Sequence, residues 1–113
     1  MEFEYAANGI TGLETSLGLS LNLVAEGILT WPELIAAMSL NPARILNLPK
    51  GTLIKGADAD ITVIDPDRAW TVDVKSFVSR GKNSPFNGRP MKGRAVLTIV
   101  GGEIKFDLLA SKP

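Results

Sequence analysis

The chain has 113 residues, enough for one small domain, and 45% of them are hydrophobic, so it can bury a core. Twelve basic and twelve acidic residues give zero formal net charge, which argues against nucleic acid or an anionic membrane surface as partner. With no cysteine and no histidine, the chain has no disulfide, no thiolate metal site and none of the commonest base and metal ligand, so by itself it lacks the groups a hydrolase needs.

Met1 is followed by neither a basic n-region nor an apolar h-region, and no apolar run nears the ~18 residues of a membrane span, so a soluble cytoplasmic protein is expected. After a mixed lead-in, Asn8 to Thr15 reads as a glycine-rich loop entering a helix. Thr11 and Glu14 have the spacing of a capping box, and Gly9 and Gly12 permit tight turns before it. Free N–H groups collected there are suited to an anion such as a carboxylate. The helix is predicted over 13–26, with Gly27 closing it. Leu13, Leu17, Leu21 and Val24 give it an apolar face that Leu19 and Leu23 widen. Gly18, costly inside a helix, points to close packing against another backbone.

Thr30-Trp31-Pro32-Glu33 is a second capping box, opening a helix to about Ser39 with Leu34, Ile35 and Met38 as its apolar face. Asn41-Pro42 is expected to restart the chain as cap and first residue of a short helix over 43–46. Near residue 51 the pattern changes. Residues 51–56 read as a short strand or turn, 60–65 as a β-branched strand closed by Asp65-Pro66, and 70–74 as a half-buried strand by its alternation. Residues 75–93 carry three glycines and two prolines and read as a long loop, functional or pinned by its own side chains. Residues 94–100 and 103–106 flank Gly101-Gly102 as a hairpin, and the tail from Leu108 is expected to fray. Helices followed by strands make the fold class α+β.

Three constellations have two readings each. Asp58, Asp60 and Asp65 fall within eight positions and would suit a hard cation, but aspartates flanking a strand are also ordinary turn residues, and the turn is favoured. Arg44 is either an anion clamp or a solvated arginine, with the latter favoured. Arg80, Lys82, Arg89, Lys92 and Arg94 suggest a nucleic-acid patch, which neutral charge and the lack of interleaved exposed aromatics oppose.

Phe3 to Thr15 resembles the segment after the last barrel strand in dihydroorotases of the cyclic amidohydrolase family, where Phe, two residues, Ala-Pro-x-Gly, two residues and Gly-x-Glu recur. Phe3, Ala6, Gly9, Gly12 and Glu14 match, and Ala7 replaces the usual proline. Ser79 to Gly93 is similar to a second dihydroorotase segment, matching at Ser79, Asn83, Ser84, Pro85, Phe86, Gly88 and Gly93, with Arg80 for lysine and Met91 for leucine. Allantoinases carry a similar loop, usually with tyrosine in place of Phe86 and a preceding histidine absent here. Gly56-Ala57-Asp58-Ala59-Asp60 with its following strand, and Asn41-Pro42-Ala43 before it, resemble the entry to the small β-sandwich of many amidohydrolases. The loop over 79–93 is then a structural clasp between the sandwich and the rest of the enzyme.

The resemblance implies the C-terminal part of an enzyme with a metal-centred (β/α)8 barrel and a flanking β-sandwich. Residues 1–50 would be the last barrel loop and helices, and 51–113 most of the sandwich. Such enzymes interconvert dihydroorotate and N-carbamoyl-L-aspartate in pyrimidine biosynthesis. Their zinc ligands (a His-x-His pair, a carboxylated lysine, two more histidines and an aspartate) would lie upstream of Met1, leaving this chain inactive alone and with no metal residue of its own. Ala6, Ala7, Asn8 and Gly9 are the candidate substrate-binding residues, covering the pyrimidine ring through backbone atoms. Unpaired strand edges and uncovered helix faces imply a homo-oligomer, with a dimer burying Leu17, Leu21 and Val24 as one form. The alternatives are a non-catalytic dihydroorotase-like subunit binding aspartate transcarbamoylase, or another cyclic amidohydrolase such as allantoinase.

Overall fold

A computed structural model describes residues 9–109. Its elements are α1 (Ser16–Ala25), α2 (Trp31–Ile35), α3 (Asn41–Ile45), β1 (Ile61–Thr71), β2 (Pro90–Val100) and β3 (Glu103–Asp107). The strands form one antiparallel sheet in the order β1-β2-β3, which is an α+β arrangement as expected.

Helix α1 starts three residues later than predicted, at Ser16. The Thr11–Glu14 capping box does not form, because both side chains are engaged elsewhere in the chain. The far end of α1 does follow the prediction. Gly27 has φ +77°, its N–H donates to Val24 O (3.1 Å), and Ile28 N–H donates to Leu23 O (2.9 Å), the two bonds of a Schellman motif. Gly18 and Leu21 carry the buried face of α1, and Gly18 sits on Met91 and Trp70, with Gly93 O just beyond. Leu13 lies outside the helix and is exposed.

The second capping box is complete: Thr30 N–H donates to Glu33 Oε1 (2.9 Å), and Glu33 N–H donates to Thr30 Oγ1 (3.3 Å). The predicted restart at Asn41-Pro42 does not occur. Helical backbone runs on from α2 through a π-turn over Ala36–Leu40 into α3, with Asn41 N–H bonded to Ala36 O. Pro42 explains the wider turn. It has no N–H to donate, and its ring would strike the carbonyl four residues back in a regular α-helix. Of the predicted apolar face only Leu34 is buried, while Ile35 and Met38 are exposed. Asn47, at φ +58°, ends α3 before Pro49 is reached. Residues 51–56 contain no strand.

The two strands expected at 60–65 and 70–74 are joined in β1, which bulges between Asp65 and Ala69 opposite Gly93. Pro66 falls in that bulge, where a missing N–H breaks no ladder bond. Beyond it Trp70, Val72 and Val74 face inward, as the alternation predicts. Val72, Phe77 and Met91 form a core cluster with Leu19, Trp70, Val74 and Phe86 packed around it. Strand β2 begins at Pro90, earlier than predicted, and turns into β3 through Gly101 (φ +58°) and Gly102 (φ +81°), as a two-residue primed turn requires. Leu108 stays attached, its N–H donating to Val96 O (2.9 Å).

Candidate functional site

The sequence-predicted site begins outside the described residues: Ala6, Ala7 and Asn8 lie there, and Gly9 is the first residue with a place in the structure. Gly9 is exposed, and its carbonyl accepts a 2.7 Å bond from Asn83 Nδ2. Asn83 belongs to the long loop between β1 and β2. The two segments that carry the dihydroorotase resemblance therefore meet in space, across more than seventy residues of sequence.

The loop is built to hold a shape. At its base, Asp73 Oδ1 accepts from Lys75 N–H and caps a short 3₁₀ turn over Val74–Ser76. Phe77 and Phe86 anchor the two arms in the core cluster. Lys82 Nζ folds back to donate to Phe77 O (2.7 Å) and Ser79 O (2.8 Å), closing the tip on itself. Ser84 Oγ accepts from Phe86 N–H, and Asn87 Oδ1 accepts from Val74 N–H. Gly88 N–H and Val72 O (2.8 Å) then return the chain to the sheet. The expected pinning by the loop's own side chains is what the structure has.

From that base the tip grips the segment before α1 at two points. Ser79 donates twice to the Glu14 carboxylate, from Oγ to Oε1 (2.6 Å) and from its N–H to Oε2 (3.0 Å). These two bonds hold the Glu14 carboxyl below its ordinary value near 4.5, the Ser79 hydroxyl contributing most and burial opposing weakly. At the second point Asn83 makes three contacts. Its Oδ1 accepts from Thr11 Oγ1 (2.9 Å), its Nδ2 donates to Gly9 O, and its own carbonyl accepts from Thr11 N–H (3.4 Å). Gly81 lies between the grips, and a Cβ there would overlap the Thr11 hydroxyl and press on Asn83 Oδ1 at 3.2 Å. Thr15, almost fully buried, donates from both its hydroxyl and its N–H to Gly12 O (3.3 Å each).

Chemically this is a fastening. Thr11, Glu14, Ser79 and Asn83 satisfy one another, so no nucleophile or base stands free among them. Two of the N–H groups expected to cradle an anion, those of Thr11 and Thr15, are bonded to backbone carbonyls. Sequence reasoning read Thr11 and Glu14 as partners of each other and missed their true partners. No local signal in the sequence could have found these, because the partners are 65 and 72 positions apart.

The remaining candidates resolve as ordinary structure. Asp58 and Asp60 both bind Lys50 Nζ (2.8 and 2.5 Å), and Asp60 Oδ1 also takes Gly101 N–H. Lys50 is held more basic by Asp58 first and then by Asp60. Asp65 Oδ1 accepts from Asp67 N–H within the bulge, so Asp65 and Asp60 hold turns as favoured, while Asp58 is held by Lys50. Arg44 is exposed. Four of the five basic residues are engaged separately: Lys82 is taken by carbonyls, Arg89 lies over the Phe86 ring, Arg94 over Trp70 at 4.6 Å, and Lys92 near Asp67, while Arg80 is exposed. The described residues do not suit a zinc ion. Histidine and cysteine are absent from the chain, and no three carboxylates among the described residues converge on one point.

Residues 3–105 match the sequence profile of the amidohydrolase family. The chain is 58% identical over 106 residues to a dihydroorotase of Syntrophus aciditrophicus and 57% identical over 106 residues to one of Geobacter metallireducens, covering 94% of this chain in each case. It spans about a quarter of the length of these curated relatives (25% of each). Among solved structures, an L-hydantoinase (dihydropyrimidinase) from Arthrobacter aurescens superposes on 90% of the chain with a TM-score of 0.84 and 42% identity, using 23% of its own length. A D-hydantoinase superposes on 94% with a TM-score of 0.83 and 25% identity, using 24% of its length.

Proposed function

The chain belongs to the amidohydrolase family, and on that premise we propose that it is the C-terminal segment of a dihydroorotase. The whole enzyme interconverts dihydroorotate and N-carbamoyl-L-aspartate in the cytoplasm, as a step of pyrimidine biosynthesis. Residues 1–50 supply the last loop and helices of a (β/α)8 barrel, and 51–113 supply strands of the flanking β-sandwich. The zinc ligands come from the part of the enzyme outside this chain, because the donor set here does not suit the metal. This chain contributes the substrate cover, with Ala6, Ala7, Asn8 and Gly9 over the ring. The whole enzyme works as a homo-oligomer.

The observation that carries the reading is the identity to dihydroorotases, 58% over nearly the whole chain. The fastening of Gly9 by Asn83 adds to it, because it joins the two segments in which the dihydroorotase pattern is densest. The test is an assay of the full-length protein on dihydroorotate, hydantoin and allantoin side by side. Turnover of dihydroorotate is expected to exceed the other two by at least about a hundredfold, since a site that pairs the ring carboxylate leaves polar groups unpaired with ligands that lack it. Equal or greater turnover of hydantoin or allantoin would sink the assignment. The 113-residue chain alone is expected to show none, and zinc-dependent activity in it would refute the division of labour.

A further inference from the structure

We propose that Asn83 is a positioning residue for substrate binding: its carboxamide sets the backbone at Gly9, and Thr11 and Gly81 in turn set the carboxamide. The inference rests on the dihydroorotase reading and on Gly9, the described residue of the proposed substrate-binding set. It extends both to a residue of the distant β1–β2 loop.

The geometry supports it in three ways. First, one side chain serves both ends of the segment. Nδ2 donates to Gly9 O at 2.7 Å while Oδ1 accepts from Thr11 Oγ1 at 2.9 Å. The Gly9 carbonyl can only accept, so it requires Nδ2, and Oδ1 is left to the Thr11 hydroxyl, which can donate. Second, the loop that presents Asn83 is braced at every turn, by Lys82 on two carbonyls and by Phe77 and Phe86 in the core, so the carboxamide is delivered from a fixed base. Third, Gly81 has no room for a Cβ, which would displace the Thr11 hydroxyl from Asn83. Gly81 has no left-handed φ to preserve, so space beside Thr11 is the constraint there. These groups act through the backbone that follows Asn8.

The test uses the full-length enzyme and four variants: Asn83→Asp, Thr11→Val, Thr11→Ser and Gly81→Ala. Asn83→Asp keeps the acceptor for Thr11 but faces Gly9 O with an oxygen instead of a donor. Its KM for dihydroorotate is expected to rise about tenfold, the effect of one lost bond plus a repulsion, with kcat within about twofold. Thr11→Val and Gly81→Ala should raise KM in the same sense by a smaller factor, and Thr11→Ser, which restores the hydroxyl, should return it to the parent value. Thermal midpoints are measured alongside. An unchanged KM in Asn83→Asp, a fall in kcat without a rise in KM, or a KM that follows loss of folded protein overturns the proposal. If Asn83→Asp does not fold, Thr11→Val against Thr11→Ser decides, because Thr11 is only part-buried and valine has nearly its shape. Failure of the unsubstituted enzyme to turn over dihydroorotate would remove the dihydroorotase reading itself, whereas an active enzyme indifferent to these changes removes this inference alone.

Discussion

Glu14 shows what a single carboxylate does in this fold. In an unfolded chain it would titrate near 4.5, and here two donors from Ser79 hold it lower. A group whose folded pKa is depressed adds stability that is full above its unfolded pKa and disappears as pH falls through the folded one. The grip between the α1 approach and the β1–β2 loop is therefore an acid-labile joint. In the full-length protein, Glu14→Gln is expected to lower the thermal midpoint at pH 7 and to lose most of that difference below pH 4.5. A melting series from pH 7 to pH 3 checks it, and parallel curves for the two proteins would show that the carboxylate's charge is immaterial. Ser79 is the natural control, since Ser79→Ala removes the larger of the two causes while leaving the backbone donor.

Among the elements, α1 packs against β2 with a glycine on each side, Gly18 and Gly93. Gly93 has φ +93°, and a Cβ there would stand 2.5 Å from Leu21 Cδ1 and 3.2 Å from Pro66 O. Gly93→Ala therefore strains the backbone, pushes α1 outward and crowds the bulge of β1, a cost of about 2 kcal/mol or more. Gly18, on the opposing face, meets the mobile end of Met91 and the edge of Trp70, so Gly18→Ala should cost clearly less. Denaturant melts of both variants in the full-length protein would rank them, and the reverse order would mean that Met91 cannot yield. The same pair of elements marks where the sequence was legible. Thr30–Glu33 and Thr11–Glu14 carry identical capping signatures, yet only the first caps a helix. The Thr30 pair is exposed and has only its own helix end to bond, whereas Thr11 and Glu14 face a loop that outbids the local pairing. Local patterns located α1, α2, the hairpin and the inward side of β1, because periodicity and turn residues act within a few positions. They could not supply the Ser79 and Asn83 contacts, which depend on the sheet bringing distant segments together. The candidate site was legible only as two resembling segments, and that resemblance gave no hint of the bonds between them.

At the scale of the whole molecule, the balance of buried and exposed apolar surface is wrong for a self-sufficient domain. Among the described residues seven hydrophobic side chains are buried, while eighteen large ones are exposed. Leu21, expected to serve a dimer face, is already covered by β2, so the unsatisfied surface lies elsewhere. Part of it, Ile35, Met38, Leu53 and Val100, borders a cavity of about 620 Å³ between the α2 end and the sheet, where the half-buried Ile61 and Ile99 also lie. Covering a handful of such side chains contributes on the order of 10 kcal/mol, as much as the net stability of a typical domain. In the proposed enzyme the rest of the chain supplies that cover. Without it, copies of the 113-residue chain have only each other, and the outer sides of β1 and β3, which pair with no further strand among the described residues, are where a second copy could add to the sheet. The purified chain is therefore expected to sediment as dimers or larger species at micromolar concentration and to bind a dye for exposed apolar surface more strongly than the full-length protein does. Replacing Met38 and Leu53 together by glutamine should weaken the association without disturbing the Val72, Phe77 and Met91 cluster, which neither residue joins. A single monomer boundary for the unsubstituted chain, with a sharp cooperative melt, would mean that the sheet and helices close a sufficient core alone and that the apolar surface is tolerated without a partner.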